Sequence, residues 1–246
     1  MQQDILGIIP ARYESSRFPG KPLASIAGKT MLQHVWERAR CARTLNRTII
    51  ATDDERILRE ARRFGANARM TRADHASGSD RAAEVAADDG ARVIVNIQGD
   101  EPLIDPAAID AAVEGLLEAG DAPMGTLKKR IENPAELSNP NVVKVVTDHE
   151  GNAIYFSRSL IPYVRGGSAA HYKHVGLYVY RKDFLLGYSN LKRGPLEEAE
   201  KLEQLRALEN GFKIRVVETG YESLGVDTPE DLQRVSAIVE AVLMAR

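Results

Sequence analysis

The chain has 246 residues, of which 43% are hydrophobic, and its 33 basic and 35 acidic residues give a net charge of -2. This composition provides for a substantial core, and the balanced charge gives no overall attraction to nucleic acid or to an anionic membrane. Cys41, the only cysteine, excludes an internal disulfide, the first residues lack a cationic signal-peptide start, and the apolar runs are too short to span a bilayer. We therefore expect a cytoplasmic protein that binds neither nucleic acid nor membranes.

A basic loop follows the first predicted strand. The apolar run at 5–9 predicts a buried parallel strand, and Arg12, Arg17 and Lys21 come directly after it. Open α/β sheets bind ligands beyond the carboxyl ends of their strands. Two guanidinium groups and one ammonium group suit the oxygens of successive phosphoryl groups. The loop therefore predicts a triphosphate site rather than a solvated surface loop.

Strands and helices alternate over the first half of the chain. Their predicted positions are a helix over 30–43, a strand over 47–52, a helix from Asp53 through Phe64, a short strand over 67–71, a helix from Asp80 capped by Ser79, a strand over 92–97, and a helix near Pro106 capped by Asp105. This alternation predicts an α/β fold with a doubly wound, mostly parallel sheet.

The pattern changes after residue 124. Short strands are predicted at 124–129, 142–147, 153–156 and 174–180, before a helix over 195–208, a strand over 213–219 and a final helix from Thr228. We interpret residues 1–246 as a single domain with an inserted lobe at roughly 124–190. Such a smaller sheet often packs on another subunit, so the lobe predicts a dimerisation element.

Two aspartates are candidate metal ligands. Asp100 follows the strand predicted over 92–97, where a carboxylate could hold Mg²⁺ on a triphosphate, although a turn aspartate bonded to its own backbone is the alternative. Asp227 precedes the final helix and could be its cap. Thr228 and Asp231 already form a T-x-x-D box with Pro229 at the first helical position, which leaves Asp227 available as a second ligand.

The segment 174–180 predicts a polar strand face. Strand alternation places His174, Gly176, Tyr178 and Tyr180 on one side, which suits a hydroxylated ligand, although a structural histidine explains His174 about equally well. No zinc-ligand spacing and no G-x-S-x-G motif is present in the sequence. The residues thus predict nucleotidyl transfer without specifying base or acceptor. A glycosyltransferase and a non-catalytic nucleotide sensor stay as alternatives.

Seven motifs, in order along nearly the whole chain, resemble those of the 3-deoxy-manno-octulosonate (Kdo) cytidylyltransferase family, the CMP-Kdo synthetases. They are IIPARY at 8–13, RFPGKPL at 17–23, TRADH with SG at 71–78, NIQGDEP at 96–102, YFSR at 155–158, LEQLR at 202–206 and GVDTPED at 225–231.

The resemblance implies a nucleotide-diphospho-sugar transferase-like fold and a single nucleotidyltransferase domain. It further implies a homodimer that uses Mg²⁺ to join CMP from CTP to Kdo, releasing pyrophosphate, for lipopolysaccharide biosynthesis. The same reaction on 8-amino-Kdo, or on another acidic sugar such as sialic acid, is the alternative.

The resemblance also implies roles for particular residues. The implied catalytic residues are Arg12, Lys21, Asp100 and Asp227. The implied nucleotide-binding residues are Arg12, Arg17, Lys21, Thr71, Arg72, Ser77, Gly78 and Asp100, and the loop at 71–78 is the implied cytosine-binding segment. The implied sugar-binding residues are Gln98, His174, Tyr178 and Gln204. The implied metal ligands are Asp100 and Asp227.

Overall fold

The structure is a computed structural model and describes residues 4–15 and 17–244. The chain divides into two compact units, of which unit 1 comprises the chain up to Asp110 and from Glu222 onward, and unit 2 comprises Ala111–Tyr221. The lobe predicted at roughly 124–190 falls within the sequence of unit 2. Its boundaries and the single-domain interpretation stay predictions.

Unit 1 is built on a parallel sheet. Its strands, in the spatial order β6-β1-β4-β5, are β1 Ile5–Ala11, β4 Arg47–Thr52, β5 Ala68–Met70 and β6 Val93–Asn96. A small hairpin pairs β2 Ser25–Ile26 with β3 Lys29–Thr30. The helices are α1 Met31–Ala39, α2 Glu55–Arg63, α3 Gly78–Ala87 and α8 Pro229–Met244, and α4 Pro106–Glu118 begins in this unit.

The order of these strands indicates which edge of the sheet binds a ligand. β4 and β5 follow β1 on one side, whereas β6 returns to the other side of β1, so the winding direction changes between β1 and β6. Every residue of 5–9 and of 93–96 is buried, as expected for central parallel strands covered on both faces. In doubly wound sheets, ligands bind beyond the carboxyl ends of the strands at such a change. The predicted fold class is confirmed.

Unit 2 contains a mixed sheet. β7 Met124–Arg130 pairs parallel with β11 Ile214–Glu218 and antiparallel with β10 Tyr172–Arg181, and β10 continues through β8 Lys144–Thr147 to β9 Ala153–Ser157 by antiparallel pairing. Its remaining helices are α5 Lys182–Tyr188, α6 Pro195–Glu200 and α7 Leu205–Glu209. Among the helices that the structure describes, none combines the length and the apolar composition needed to cross a bilayer.

Two predicted elements are wrong in detail. Ser77, not Ser79, caps α3, because Ser77 and Asp80 form a reciprocal capping box and the helix begins at Gly78. The helix predicted over 195–208 is divided into α6 and α7. Lys201 ends α6 in a left-handed conformation, with φ 52°, and this conformation cannot be read from apolar spacing.

Candidate active site

The basic loop after β1 is closed on itself. Gly20 has φ +73°, a left-handed conformation that favours glycine, and its N–H donates to the carbonyl of Tyr13 at 2.8 Å. Lys21 then begins a short 3₁₀ helix, Lys21–Leu23, with Pro22 at an initial position. Tyr13 lies in turn under the Arg56 guanidinium, 3.3 Å from the ring centroid. The backbone geometry therefore fixes the direction in which Lys21 leaves the loop.

Lys21 lies between the two predicted metal ligands. Its Nζ is 2.7 Å from Asp100 Oδ2 and 3.2 Å from Asp227 Oδ1. Its side chain is 13% exposed, which leaves this ammonium group less screened by water than a surface lysine. The structure thus brings together Lys21, Asp100 and Asp227, residues separated by most of the sequence.

Asp227 does not cap the final helix, which agrees with the prediction from the Thr228–Asp231 box. Thr228 Oγ1 accepts from the Asp231 N–H at 3.2 Å, and Asp231 Oδ2 accepts from the Thr228 N–H at 3.1 Å. The Asp227 carboxylate instead pairs with Lys21 and with Arg17, whose Nη2 is 3.0 Å from Asp227 Oδ2. Arg17, Lys21, Asp100 and Asp227 are called the charged cluster below.

Backbone contacts place the two carboxylates of the charged cluster side by side. The Val226 N–H donates to the carbonyl of Asp100 at 2.9 Å, which fixes the chain before Asp227 against the turn that carries Asp100. That turn lies close to β1, since a Cβ at Gly99 would lie 2.6 Å from the carbonyl oxygen of Pro10. Only glycine permits this approach.

An apolar cluster supports the same segments. Its buried members are Ile26, Met31, Val226, Val235 and Val239, and Phe18 and Leu103 pack against it. Phe18 comes from the basic loop, Leu103 from the chain after Asp100, and Val226 directly precedes Asp227. Burial of these side chains therefore stabilises the positions of the charged residues beside them.

The charged cluster fits a magnesium site. Both aspartates present hard oxygen donors within 3.2 Å of one nitrogen atom. Among the described residues there is no group of three or more acidic, histidine or cysteine side chains that could hold a metal. Mg²⁺ characteristically takes one or two carboxylates and completes its shell with phosphate oxygens and water. Asp100 and Asp227 match that donor set, and the metal site stays a prediction.

Arg12 contacts a different part of unit 1. Its Nη2 donates to the carbonyl of His75, in the loop at 71–78 that was predicted to bind the base. The His75 imidazole is buried and contacts Glu84 Oε2, which also accepts from the Arg72 N–H at 3.2 Å. Glu84 therefore holds the loop at Arg72 and at the His75 side chain, and Arg12 holds it at the His75 backbone.

The predicted base-binding residues have unequal freedom. Thr71 Oγ1 accepts from Nη1 of Arg81, a fully buried side chain that also binds Asp53 Oδ2 at 2.7 Å. The Arg72 side chain is 70% exposed and lies 3.4 Å from Asp74. The Ser77 hydroxyl caps α3. Gly78 begins α3, and a Cβ there would lie in ordinary contact distance of Pro10 and Asn96, near the ends of β1 and β6.

Sequence reasoning missed Arg81 and Glu84. Both lie on α3, three residues apart, so they share a helix face that points to the loop. An arginine that is fully buried within a helix needs a carboxylate partner, and Asp53 provides it. The spacing of two charges on one helix face could have indicated a role, but their partners lie too far along the chain to be identified from the pattern.

In unit 2, the predicted aromatic face is present. The rings of His174 and Tyr178 lie 5.4 Å apart between centroids, and those of Tyr178 and Tyr180 lie 6.1 Å apart. Phe156 contacts His174 edge-on at 5.1 Å. His174, Tyr178 and Tyr180 are called the aromatic face below. It is a rigid, uncharged surface with polar atoms at its edges.

Burial sets the protonation states on this face. Loss of hydration lowers the pKa of His174 to about 4, so its imidazole is neutral near pH 7. Burial likewise raises the pKa of Tyr178 well above its ordinary value. His174 Nε2 lies 2.9 Å from Thr126 Oγ1, a contact that the sequence did not predict.

Gln204 joins the aromatic face through Tyr178. The Tyr178 hydroxyl donates to Gln204 Oε1 at 3.1 Å, whereas Gln204 Nε2 is buried and has no hydrogen-bond partner within the described chain. A buried amide without a partner costs free energy unless a ligand accepts from it. The structure therefore brings His174, Tyr178 and Gln204 together. Gln98 belongs to unit 1, where it lies two residues beyond the end of β6.

The LEQLR motif owes its rigidity to buried polar contacts. Arg206 donates through Nε and Nη2 to both carboxylate oxygens of Glu197, at 2.9 and 2.6 Å, and this pairing raises the pKa of Arg206. The Tyr188 hydroxyl donates to the carbonyl of Glu203 at 2.7 Å. Both contacts hold the backbone on either side of Gln204.

Comparison with known proteins agrees with this geometry. A family model described as cytidylyltransferase matches residues 6–214. The chain is 68% identical to a 3-deoxy-manno-octulosonate cytidylyltransferase of Solibacter usitatus, over 99% of this chain and 98% of that protein. It is 58% identical to the protein of the same name from Syntrophotalea carbinolica, over 95% and 97%.

Solved structures show the same similarity. A CMP:2-keto-3-deoxy-manno-octonic acid synthetase complexed with CTP superposes with a TM-score of 0.94 and 44% identity, covering 97% of this chain and 99% of that one. A cytidylyltransferase from Leptospira borgpetersenii, at 18% identity, has a TM-score of 0.64 over 97% of this chain and 87% of that one, a likeness of fold alone.

Proposed function

This chain belongs to the cytidylyltransferase family, and we propose that it transfers CMP from CTP to the anomeric hydroxyl of Kdo, giving CMP-Kdo and pyrophosphate for lipopolysaccharide biosynthesis. The observation that carries this proposal is the charged cluster beyond β1 and β6, with Lys21 within 3.2 Å of both carboxylates. Two carboxylates beside a triphosphate would repel it unless cations lie among them. The cluster therefore suits a triphosphate that arrives with a divalent ion.

The basic loop binds the phosphates in this proposal. Arg17 is 64% exposed and its guanidinium can turn from Asp227 to a phosphate at little cost, because exposed ion pairs contribute little stability. Lys21 is held more firmly and supplies a positive charge where negative charge grows on the leaving pyrophosphate. Arg12, bonded to the base-binding loop, fixes that loop relative to the phosphates.

Asp100 and Asp227 hold Mg²⁺ in this proposal. When bound, the ion neutralises phosphate charge and lowers the pKa of a coordinated hydroxyl. The transfer forms a bond between the anomeric oxygen and the α-phosphorus and breaks the bond from that phosphorus to pyrophosphate, and the proton of the anomeric hydroxyl is released to solvent. The contribution of this chain is to fix the reacting groups in line and to stabilise the charge that develops.

The loop at 71–78 binds cytosine in this proposal. Arg12 and Glu84 hold its backbone and Arg81 holds the Thr71 side chain, so the loop presents polar atoms in a fixed arrangement. A fixed polar pocket distinguishes an exocyclic amine from a carbonyl oxygen, because the wrong base leaves a buried partner unpaired.

Residues of unit 2 bind the sugar in this proposal, and the sugar-binding role of Gln98 in unit 1 stays a prediction from the sequence. The support is the neutral imidazole of His174, the Tyr178 hydroxyl and the unpaired Gln204 amide, which offer acceptors and donors for hydroxyl groups without charge. The relatives' names specify Kdo rather than 8-amino-Kdo or sialic acid.

We also propose a cytoplasmic homodimer. Exposed apolar side chains in unit 2, Ile154 at 61% and Tyr163 at 88%, support an interface there. The intracellular nucleotide substrate and the single cysteine support the location. Sedimentation velocity tests the dimer directly, and a monomer at micromolar concentration would contradict it.

One experiment tests the function. Pyrophosphate release is measured with CTP and Mg²⁺, in parallel with Kdo, 8-amino-Kdo, sialic acid and no acceptor. We expect release that depends on acceptor and is fastest with Kdo, together with CMP-Kdo identified by mass. Faster pyrophosphate release with 8-amino-Kdo or sialic acid would show that the assigned acceptor, Kdo, is wrong. Release of a nucleotide from a sugar nucleotide, instead of pyrophosphate from CTP, would indicate a glycosyltransferase.

A further inference from the structure

We propose that Thr126 is a positioning residue that holds His174 in the tautomer protonated on Nε2, and so leaves Nδ1 to accept a hydrogen bond from a hydroxyl of the acceptor sugar. The proposal rests on the proposed role of His174 in sugar binding. It adds a residue outside every motif that the sequence indicated, and it assigns a chemical role to each ring nitrogen.

Thr126 lies at an irregularity in the pairing of β7 with β10. β7 and β10 pair regularly up to Val175 and again from Val179, with a register shift between them. At this shift, Thr126 Oγ1 lies 2.8 Å from the carbonyl oxygen of Leu177 and 3.1 Å from that of Val175. The Thr126 side chain is fully buried, so no water competes for these contacts.

The single proton of this hydroxyl decides the tautomer. Carbonyl oxygens only accept, so the contacts to Leu177 and Val175 are satisfied only when Thr126 donates its proton to one of them. Thr126 Oγ1 then has only lone pairs to offer His174 Nε2, which lies 2.9 Å away. Nε2 must therefore carry the proton and donate to Thr126.

The other ring nitrogen is left as an acceptor. Burial lowers the pKa of His174 to about 4, so near pH 7 the ring holds one proton, and the contact above places it on Nε2. Among the described residues, no hydrogen-bond partner is found for His174 Nδ1, and the residue is only partly buried. An unprotonated ring nitrogen is therefore left without a partner among the described residues.

Neighbouring rings hold the His174 imidazole in place, so its Nδ1 acceptor has a fixed direction. Phe156 contacts it edge-on and Tyr178 lies beside it at 5.4 Å. A fixed acceptor selects a hydroxyl or amine donor on the ligand and rejects a carbonyl or ether oxygen at the same place. In the opposite tautomer, Nδ1 would be a donor and the preference would be reversed.

The test compares Thr126→Val, which keeps the shape and removes the hydroxyl, with Thr126→Ser, which keeps the hydroxyl. The first readout is the protonation of each His174 nitrogen in the ligand-free protein, from ¹H–¹⁵N correlation spectra. We expect Nε2–H in the wild type and in Thr126→Ser, and a mixture of tautomers in Thr126→Val. Nδ1–H in the wild type would overturn the proposal, even if Thr126→Val fails to fold.

The second readout is kinetic. For Thr126→Val we expect KM for Kdo to rise about tenfold while KM for CTP is unchanged, with recovery in Thr126→Ser. In a His174→Asn background, Thr126→Val should add no further increase in KM for Kdo, since its effect passes through the ring. An equal rise in KM for Kdo when Thr126→Val is introduced into the wild type and into His174→Asn would overturn the proposal. So would an unchanged KM for Kdo in folded Thr126→Val. Absence of any CMP transfer by the wild type would instead contradict the proposed function and leave the tautomer measurement decisive.

Discussion

The charged cluster of unit 1 and the aromatic face of unit 2 hold their polar groups in opposite ways. Arg17 and Lys21 are the cationic partners of Asp100 and Asp227, and the Asp227 side chain is 49% exposed. His174 and Tyr178 are partly buried and pack against other rings, and loss of hydration shifts both pKa values toward the neutral form. One region keeps its charge through partners, and the other loses charge through burial.

This difference matches two kinds of ligand. Phosphates carry charge and require mobile or exchangeable counter-charges, which exposed ion pairs supply at small cost. Sugar hydroxyls are neutral and are distinguished by the position of donors and acceptors, which rigid buried groups supply. Variants of the charged cluster should therefore change catalysis, whereas changes around the aromatic face should alter sugar affinity and pH-dependent stability.

The largest effect is expected for Asp227→Asn. Asparagine keeps the shape, and since Asp227 is not the cap, the free energy of unfolding should change by no more than a few tenths of a kcal/mol. Activity should fall by orders of magnitude and the Mg²⁺ concentration required should rise. Steady-state rates across a Mg²⁺ titration provide the measurement.

Thr228→Ala is the matched control for Asp227→Asn. It removes the cap that accepts from the Asp231 N–H, so it should cost about 1 kcal/mol of stability and leave most of kcat. Ordinary turnover and ordinary Mg²⁺ dependence in Asp227→Asn would mean that this carboxylate is not a metal ligand.

Lys21→Ala should lower kcat/KM by about 100-fold or more, because it removes a charge that stabilises the leaving pyrophosphate. Lys29→Ala is the control, since Lys29 is 44% exposed and pairs with Glu37 on the surface of the same unit. Rates measured with saturating Mg²⁺ separate this effect from metal loss. A near-normal rate in Lys21→Ala would place Lys21 among solvated loop residues.

Replacing CTP with UTP should lower kcat/KM by a factor that corresponds to about 1–3 kcal/mol, since uracil presents an acceptor where cytosine presents a donor. The base-binding loop should not adapt, because Arg81 and Glu84 hold it. Competition between the two nucleotides in one reaction gives the ratio directly. Equal kcat/KM values would contradict cytosine binding by this loop.

The smallest effect concerns stability and pH. The pKa of His174 is about 4 in the folded protein and near 6.5 when unfolded, so the unfolded state binds more protons between these values. The free energy of unfolding should therefore decrease as the pH falls from 6.5 to 4, by about 1–3 kcal/mol from this group. Urea titrations of the wild type and of His174→Asn measure the difference.

In this pH comparison, replacement of the exposed His149 by asparagine is the control and should leave the pH dependence unchanged. If His174→Asn follows the wild type at every pH, the imidazole is not held neutral by burial.

The charged cluster could be predicted from sequence because each of its residues lies next to an element that local pattern identifies. Lys21 and Asp100 follow buried strands, and the capping box at Thr228 and Asp231 separates Asp227 from the helix. Chain order and the rule for carboxyl ends of strands then bring them to one edge.

The supporting residues could not be predicted, since their roles depend on distant partners. Arg81 meets Asp53, and Thr126 contacts His174 across the β7–β10 pair, next to a shift in register. The error at Ser79 has a local cause, because two serines lie at the start of the helix and only Ser77 has an acidic residue three positions later. The left-handed conformation of Lys201, which ends α6, could not be predicted from the spacing of apolar residues.

The most direct test of the central claim measures both substrates in one experiment. Two-substrate kinetics are compared for the wild type, Lys21→Ala and Gln204→Met, in which methionine keeps the length of the buried side chain and removes its amide. The account predicts that Gln204→Met raises KM for Kdo about tenfold with KM for CTP little changed, while Lys21→Ala lowers kcat. A Gln204→Met enzyme impaired toward CTP but normal toward Kdo would contradict the assignment of phosphates to the charged cluster and of sugar to the aromatic face.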